Sequence, residues 1–320
     1  MKNRNIHFPL LLLSVVFGFI ACDSAGNTSV DYYTPPPVVV PGAYLSEKLS
    51  WLDLYATSGT SYIVEIDADE SISPRTISYS YQDGGYTVVK PNITITLKGI
   101  GTTRIISLSA NGSMFKLDGY KITFVLGENL ELRGRNNNTA PLITVSGWDK
   151  CSLIMNPGTK ISGNNNISTS SSYSYGGGVR VSSRGSFTMN GGEISGNTTS
   201  TYGGGVYIDY DTNGRGSFIM NGGKISGNTS ALYGGWVYVN CGGGFLKTGG
   251  TIFGYTDGIS DSNIVKNNSG VLQQNKGHAV HITHNLAIYT MGRDTTSGPG
   301  NNLSFNGSTN PPVYSGVWDY

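Results

Sequence analysis

Short runs of alternating apolar and polar residues dominate the chain after about residue 60. Three of them are Ile93-Thr94-Ile95-Thr96-Leu97, Ile122-Thr123-Phe124-Val125-Leu126 and Leu142-Ile143-Thr144-Val145. Because the side chains of a strand point alternately to its two faces, this period predicts many short β-strands with one buried face.

Ahead of these runs, the apolar spacing changes from two residues to three or four. The positions concerned are Leu45, Leu49, Leu52 and Ala56. They form one stripe of a predicted helix over 44–58, with Ser46 as its N-cap. We expect this helix to cover the open strand edges at the start of the domain.

A repeat occupies the second half of the chain. The segment 186–197 returns almost unchanged at 217–228, and glycine blocks at 176–179, 203–208 and 234–239 alternate with the copies. The equivalent residues Phe187, Phe218 and Phe245 stand 31 and 27 residues apart. Each period contains three strand-like runs, which predicts one coil of a three-faced solenoid with parallel strands.

In such a solenoid, equivalent side chains stack one strand spacing apart. The predicted ladders are Leu153, Phe187, Phe218 and Phe245; Ile161, Ile194, Ile225 and Ile252; Val179, Val206 and Val237; and, at turns, Asn164, Asn197 and Asn228. The histidine segment 277–282 aligns with 203–208 as a last copy. From about residue 60 to 290, we predict roughly eight coils, or about 40 Å.

The N-terminus predicts export and lipidation. Lys2 and Arg4 precede an apolar run that is too short to span a bilayer, as in a signal peptide. The run ends in Phe19-Ile20-Ala21-Cys22, which resembles the lipobox of bacterial lipoproteins, although that family usually has Leu at the place of Phe19. The resemblance implies that Cys22 is acylated and becomes the first residue of the mature chain.

The predicted organisation has five segments. A signal peptide covers 1–21, a lipid-anchored, proline-rich tether 22–43, the capping helix 44–58, the β-helix 59–290, and a C-terminal cap or tail 291–320. The composition agrees with a turn-rich β protein, because the chain has 46 glycines and only 13% charged residues. A net charge of +1 without a basic cluster argues against nucleic-acid binding.

The repeats resemble a known class of proteins. The tetrapeptides Phe187-Thr188-Met189-Asn190 and Phe218-Ile219-Met220-Asn221, with the Gly-Gly-Gly-Val blocks between them, are similar to the FxxN and GGA(I/V) repeats of polymorphic outer-membrane adhesins. That resemblance implies an all-β, right-handed parallel β-helix at the cell surface and a role in adhesion. This chain has Gly178 and Gly205 where the adhesin motif has Ala. The adhesins also carry a membrane-anchoring domain after the repeats, a role that we expect the lipid on Cys22 to fulfil here.

An enzyme that cleaves polysaccharides is the main alternative, because parallel β-helices also carry such activities. A hydrolase of this kind needs converging carboxylates. Charged residues at the outward positions of the repeats occur singly and do not form carboxylate pairs. Glu193, for example, is replaced by Lys224 in the next copy. We therefore predict no catalysis and no cofactor, with a purely structural envelope role as a third possibility.

Two groups of residues suggest metal sites. Asp209, Asp211 and Asn213, followed by Gly214, match the first half of a calcium loop. Position twelve of that loop would be Met220 instead of Glu, so an ordinary polar turn is favoured. His278, His281 and His284 would suggest zinc, but on a strand His281 points away from the other two.

Tyrosines are the better candidates for a binding surface. We predict that Tyr207, Tyr238 and Tyr210 lie exposed on or near one face, where tyrosine can stack on sugars or anchor protein contacts. The alternative is that tyrosine simply suits exposed strand positions. Cys151 and Cys241 lie three coils apart in the predicted stack, too far for a disulfide, so we expect two free thiols.

These observations predict a lipid-anchored, surface-exposed outer-membrane protein. The membrane is one partner, through Cys22, and a host protein, matrix component or glycan is the other. We expect a monomer.

Overall fold

The computed structural model describes residues 35–83, 86–147, 149–167, 174–240, 242–254, 260–267, 269–273 and 280–282. For 80–83 and 86–89 it describes the backbone alone. The predicted signal peptide, most of the tether and the segment 291–320 therefore lie outside the described residues.

Helix α1 (Leu45–Tyr55) and thirty strands make up the described chain. The strands of the first half are β1 (Val38–Val39), β2 (Ser61–Ile66), β3 (Glu70–Ile72), β4 (Arg75–Ile77), β5 (Ser80–Asp83), β6 (Tyr86–Val89), β7 (Ile93–Gly99), β8 (Arg104–Leu108), β9 (Phe115–Leu117), β10 (Ile122–Leu126), β11 (Leu130–Arg133), β12 (Ile143–Val145), β13 (Ser152–Met155), β14 (Thr159–Ser162) and β15 (Asn165–Asn166). Those of the second half are β16 (Val179–Val181), β17 (Ser186–Met189), β18 (Glu193–Ser195), β19 (Thr198–Thr199), β20 (Val206–Ile208), β21 (Tyr210–Asp211), β22 (Gly214–Arg215), β23 (Ser217–Met220), β24 (Lys224–Ser226), β25 (Thr229–Ser230), β26 (Val237–Val239), β27 (Gly244–Lys247), β28 (Thr251–Ile252), β29 (Ile264–Val265) and β30 (Val280–Ile282).

Three long sheets confirm the parallel solenoid. Sheet A has the order β1-β2-β7-β10-β13-β17-β23-β27, sheet B β28-β24-β18-β14-β11-β8-β3 and sheet C β30-β26-β20-β16-β12-β9-β4. With each coil the chain returns to the same sheet beside the equivalent strand of the coil before, and all the pairs within these sheets are parallel. Wherever one face of a strand is buried, its alternate residues enter a common apolar core.

The predicted coil count was too high. Sheets B and C each contain seven strands, so about six turns separate the first coil from the last, or about 29 Å at the parallel strand spacing. Two antiparallel hairpins, β5–β6 and β21–β22, use up residues that the even spacing had assigned to further coils. A fourth short sheet, sheet D, with the order β15-β19-β25-β29, adds a fourth side to the later coils.

The apolar ladders have the predicted register. Leu153 pairs with Phe187, which pairs with Phe218 and then Phe245, and the predicted isoleucine and valine ladders pair in the same way. The rings of Phe187 and Phe218 stack with their centroids 4.6 Å apart. All these side chains are at most 2% exposed, so they form the continuous core of the solenoid.

A ladder of buried asparagines runs along one corner and is longer than predicted. It contains Asn138, Asn164, Asn197, Asn228 and Asn263, each fully buried. Side-chain amides donate directly to the next carbonyl oxygen from Asn138 to Asn164 at 2.9 Å, from Asn197 to Asn228 at 3.1 Å and from Asn228 to Asn263 at 3.1 Å. Between Asn164 and Asn197, the Asn164 backbone N–H donates to Asn197 Oδ1 at 3.1 Å. Each amide therefore satisfies a neighbour that would otherwise be buried without a partner.

Glycine is required at two kinds of position in the repeats. Gly163, Gly196 and Gly227 precede ladder asparagines with φ near +65°, a left-handed conformation that costs other residues about 1 kcal/mol. At Gly177, an added Cβ would lie 2.1 Å from the carbonyl oxygen of Gly204 in the next coil. The glycine blocks therefore allow successive coils to pack closely at this corner.

Helix α1 has the predicted buried stripe but a different N-terminus. The stripe residues are Leu45, Leu49, Leu52 and Ala56, each at most 3% exposed. The N-cap is Tyr44, which makes no capping side-chain bond, so the prediction of Ser46 was wrong. Instead, Glu70 Oε2 accepts from the Leu45 N–H at 2.8 Å. A carboxylate suits this position because the N-terminus of a helix carries unpaired N–H groups and a partial positive charge.

Candidate functional site

The outer face of sheet C changes character along the solenoid. Its outward column contains, from the first coil to the last, Thr76, Lys116, Thr144, Arg180, Tyr207, Tyr238 and His281. A second column of Tyr175, Tyr202 and Tyr233 forms bridges just before the glycine blocks. We call Tyr207, Tyr238 and His281 the inner column, Tyr175, Tyr202 and Tyr233 the outer column, and the six rings together the aromatic double ladder.

Both columns of the double ladder are stacked. Ring centroids are 6.1 Å apart along the outer column and 5.3 Å apart along the inner column. Rings of the two columns meet at 4.7, 4.7 and 4.5 Å. Each such contact contributes about 0.5–1.5 kcal/mol beyond the area it buries. The outer column thus covers the inner one and forms a rigid, half-buried surface strip.

The predicted exposure of two tyrosines was wrong. Tyr207 is 2% exposed and Tyr238 is 6% exposed, because the outer column lies over them, whereas Tyr210 is 55% exposed as predicted. Burial, followed by the negative charge of Asp209, raises the pKa of Tyr207 above its ordinary value of 10.0. The Tyr207 hydroxyl therefore stays protonated at neutral pH.

Asp209 anchors the start of the neighbouring hairpin to this face. Its Oδ2 accepts from Arg180 Nη2 at 2.9 Å, and its Oδ1 accepts from Asn240 Nδ2 at 2.8 Å. The Arg180 guanidinium also lies 5.2 Å from the ring centroid of Tyr175. Arg180, Asp209 and Asn240 belong to three successive coils, so these contacts join the coils. Asp209 is only 8% exposed, which strengthens its charge-assisted hydrogen bond to Arg180.

Hairpin β21–β22 carries the exposed aromatic residue. Tyr210 pairs with Arg215 across it, and directly paired residues project to the same face. Arg184, from the preceding coil, lies against Gly214, where an added Cβ would be 2.5 Å from its Cγ. Arg184, Tyr210 and Arg215 are all exposed. Tyrosine and arginine are enriched at binding hot spots, so Tyr210 and Arg215 are the candidate contact residues of this hairpin.

The candidate calcium residues form an ordinary turn. Asp211 Oδ1 accepts from the backbone N–H of Asn213 at 2.9 Å and of Gly214 at 3.2 Å, and its Oδ2 accepts from Ser183 Oγ. Asn213 is exposed at the hairpin tip, and Asp209 is bound to Arg180. These contacts favour the turn interpretation. Within the described ranges, no group of three or more His, Cys, Asp or Glu side chains could hold a metal ion.

The structure also positions the histidine and cysteine candidates that it describes. His281 pairs with Tyr238, as the repeat alignment predicted, and it ends the inner column at 6% exposure. Cys151 is a buried free cysteine whose Sγ donates to Gly119 O at 3.3 Å, and burial raises its pKa. Cys22, Cys241, His278 and His284 lie outside the described residues.

Sequence reasoning missed the outer column, although a signal was present. Tyr175, Tyr202 and Tyr233 each directly precede a Gly-Gly pair and therefore recur with the repeat. They fall outside the strand-like runs, so alternation could not indicate where they point. Arg180 was missed because the next coils have tyrosine at its place.

An open cleft of about 800 Å³ lies at the other end of the solenoid, between α1 and β4. Its described lining includes Asp53, Arg75, Tyr79 and Lys90. Arg75 donates to the Asp53 carboxylate, and Tyr79 holds a left-handed backbone with φ of +46°. The cleft is polar, with an ion pair across it.

Comparison with other proteins adds no family assignment: no family model, no curated protein and no solved structure matches this chain. Among the described residues, no helix has the length and apolar character needed to span a bilayer.

Proposed function

We propose that the chain is a lipid-anchored outer-membrane protein that binds a host protein, matrix component or glycan through the hairpin β21–β22 and the adjoining aromatic double ladder. The observation that carries the proposal is the exposed ring of Tyr210, paired across the strands with the exposed Arg215 on a hairpin fixed by Asp209. A fixed hairpin loses little conformational freedom on binding, which favours affinity.

The sequence supports the anchoring part of the proposal. The lipobox-like segment before Cys22 implies acylation, and the proline-rich tether would connect the acylated residue to the solenoid. The similarity of the repeats to outer-membrane adhesins supports a right-handed solenoid, display at the cell surface and a monomeric, non-catalytic role. Cys22→Ser should abolish labelling of the protein by a radioactive or clickable fatty acid, and unchanged labelling would contradict the anchor.

Binding is tested with the mature chain against immobilised matrix proteins and a glycan array. Tyr210→Ser should weaken binding to any ligand found by about tenfold or more, because truncation of a hot-spot aromatic typically has that effect. Tyr44→Ser, which removes another exposed tyrosine far along the sequence, is the matched control and should bind like the wild type. Equal binding by both variants would place the ligand elsewhere.

A polysaccharide-active enzyme is the second candidate, and the polar cleft at the N-terminal end is the observation that favours it. Asp53 is a carboxylate of its described lining, and it is paired with Arg75. Release of reducing ends or of unsaturated uronides from polysaccharides would support this candidate. Asp53→Asn should then abolish the release.

A further inference from the structure

Exposed apolar side chains concentrate at the N-terminal end of the solenoid. Of the ten large apolar residues that are exposed in the described chain, five fall within 38–55. They are Val38 at 40%, Val39 at 56%, Tyr44 at 61%, Leu54 at 70% and Tyr55 at 57%. Such a concentration is uncommon on the surface of a monomer and marks a contact surface.

Contacts within this region show that most of these residues form one surface. Tyr55 lies 5.2 Å from Trp51, ring centroid to centroid, and Trp51 lies 6.2 Å from Tyr62. Tyr62 is the register partner of Val38 in sheet A. Tyr44 precedes Trp51 by seven residues, so it lies on the same side of α1. Leu54 follows Trp51 by three residues on α1 and also lines the rim of the polar cleft. We call Val38, Tyr44, Trp51, Leu54 and Tyr55 the N-terminal apolar patch.

Three basic side chains near the patch have partners within the chain. Arg75 binds Asp53, Lys98 binds Glu65 with a nitrogen-to-oxygen distance of 3.3 Å, and Lys48 Nζ donates to the Glu65 carbonyl at 2.6 Å. A partner of this surface is therefore recognised by apolar and aromatic contact and not by net charge. Tyrosine and tryptophan beside aliphatic residues are typical of the interfacial zone of a bilayer.

The chain that precedes the patch indicates where it lies. Cys22 is only 16 residues ahead of Val38. A chain of that length spans at most about 55 Å when it is fully extended. On the proposed function, the acyl group of Cys22 is in the membrane, so the N-terminal end is the part of the solenoid held closest to the lipid. A tether this short gives the patch a high effective concentration at the bilayer.

We infer that the N-terminal apolar patch docks onto the lipid surface to which Cys22 is anchored. The patch is a second, non-covalent membrane contact beside the acyl group, and it orients the solenoid with the aromatic double ladder directed away from the bilayer. The inference rests on the proposed anchor, but the patch itself can be tested without any lipid on the protein.

The experiment uses the complete mature chain with Cys22→Ser, so that no acyl group is attached. Its co-sedimentation is measured with vesicles of phosphatidylethanolamine and phosphatidylglycerol and with neutral phosphatidylcholine vesicles. We expect binding to both, little changed by salt, because apolar contact is not screened. Tyr44→Ser combined with Leu54→Ser should lower the partition coefficient about tenfold, in line with the loss of two exposed apolar side chains.

Folding controls are built into these variants. Both residues are exposed, and serine is a favoured N-cap at position 44, so the thermal midpoint should be kept or raised. Ile167→Ser combined with Leu232→Ser removes two exposed apolar residues of the repeat region and should leave vesicle binding unchanged.

Three results would overturn the inference. These are no vesicle binding, binding that salt abolishes, or equal binding by the two double variants. Self-association that Tyr44→Ser with Leu54→Ser abolishes, without vesicle binding, would assign the patch to a second copy of the chain instead. If the unlipidated chain binds vesicles while fatty-acid labelling of Cys22 fails, the proposed acylation of Cys22 is wrong, but the membrane contact of the N-terminal apolar patch is supported.

Discussion

Two buried columns that run along the solenoid, one apolar and one of asparagines, differ in how much sequence change they tolerate. In sheet A, one core column contains Tyr62, Ile95 and Phe124 in the early coils, and then one leucine and three phenylalanines in the repeats. The asparagine column, in contrast, has asparagine at all five places. Burial of apolar area has no direction, whereas a buried amide must meet its partner at a fixed distance and angle. A strict repeat is therefore needed where polar groups are buried.

The largest effect is expected for a charge in an apolar column of the repeats. Ile225 is fully buried between Ile194 and Ile252, so Ile225→Asp should lower the free energy of unfolding by about 3–5 kcal/mol. Ile225→Val, which keeps the column apolar, should lower it by only about 1 kcal/mol. Urea denaturation measures both. A similar loss for the two variants would show that the column is not a dry core.

The surface position beside it provides the control. Lys224 points outward, with its Nζ 2.6 Å from an Asp261 carboxylate oxygen. Thr251 holds the same column in the next coil, so Lys224→Thr should lower the free energy of unfolding by about 1 kcal/mol or less. A loss equal to that of Ile225→Asp would contradict the inward and outward assignment.

The asparagine ladder should be the next most sensitive. Asn197→Ala removes the acceptor of the Asn164 N–H and the side-chain amide that donates to Ile161 O and Asn228 Oδ1, all in a fully buried corner. We expect a loss of about 2–4 kcal/mol, because each buried group left unpaired costs about 1–3 kcal/mol. Thermal and urea unfolding measure this loss.

An exposed amide ladder on the same coils is the matched control. Asn190 donates to Asn156 at 3.1 Å and accepts from Asn221 at 3.0 Å, but it is exposed. Water can replace its partners, so Asn190→Ala should change stability by less than about 0.5 kcal/mol. If both alanine variants were equally mild, hydrogen-bond direction would not explain why asparagine is retained.

The residues of the core columns could be predicted from the sequence, whereas those of the corners could be predicted only in part. Strict alternation and the repeat spacing predicted which residues stack, down to the register of His281 on Tyr238. Asn138 and Asn263 were missed because they lie outside the recognisable copies, at irregular spacing. The coil count failed because two hairpins leave the coil, and alternation does not distinguish such an insertion from another side of the solenoid.

The candidate site shows the same limit. Alternation along its strand predicted that Tyr207 points outward. Its exposure, however, depends on Tyr175, which precedes a glycine block and covers the Tyr207 ring. No local pattern contains that information, since Tyr175 reaches Tyr207 only through the stacking of coils. Only Tyr210, on a hairpin outside the sheets, retained the exposure predicted for it.

Outward polar columns should contribute least, and pH reveals their contribution. Burial alone would raise the pKa of Glu131, but hydrogen bonds from Arg133 and Ser162 and the charges of Arg133 and Lys160 outweigh it and lower the pKa below its ordinary value of 4.5. A carboxyl whose pKa is lowered on folding stabilises the protein above its unfolded pKa, and this stabilisation is lost as the pH falls through the folded pKa. The effect is small because Arg133 is exposed.

Comparison of the wild type with Glu131→Gln across pH isolates this contribution. The difference in unfolding free energy should be constant near neutral pH, at about 1 kcal/mol or less, and should shrink below pH 4.5. A difference that does not change with pH would show that the Glu131 charge contributes nothing to the column.

The central claim is that the solenoid is displayed outside the cell on a lipid tether, and protease treatment of intact cells tests it most directly. The part of the tether ahead of β1, residues 22–37, is the expected cleavage site, because strands inside the solenoid are hydrogen-bonded along both edges, whereas a proline-rich linker has no such pairing. The account predicts that added protease removes the protein from intact cells and releases the solenoid into the medium, while a periplasmic marker stays uncut. Protein that remains cell-bound until the outer membrane is permeabilised would contradict surface display.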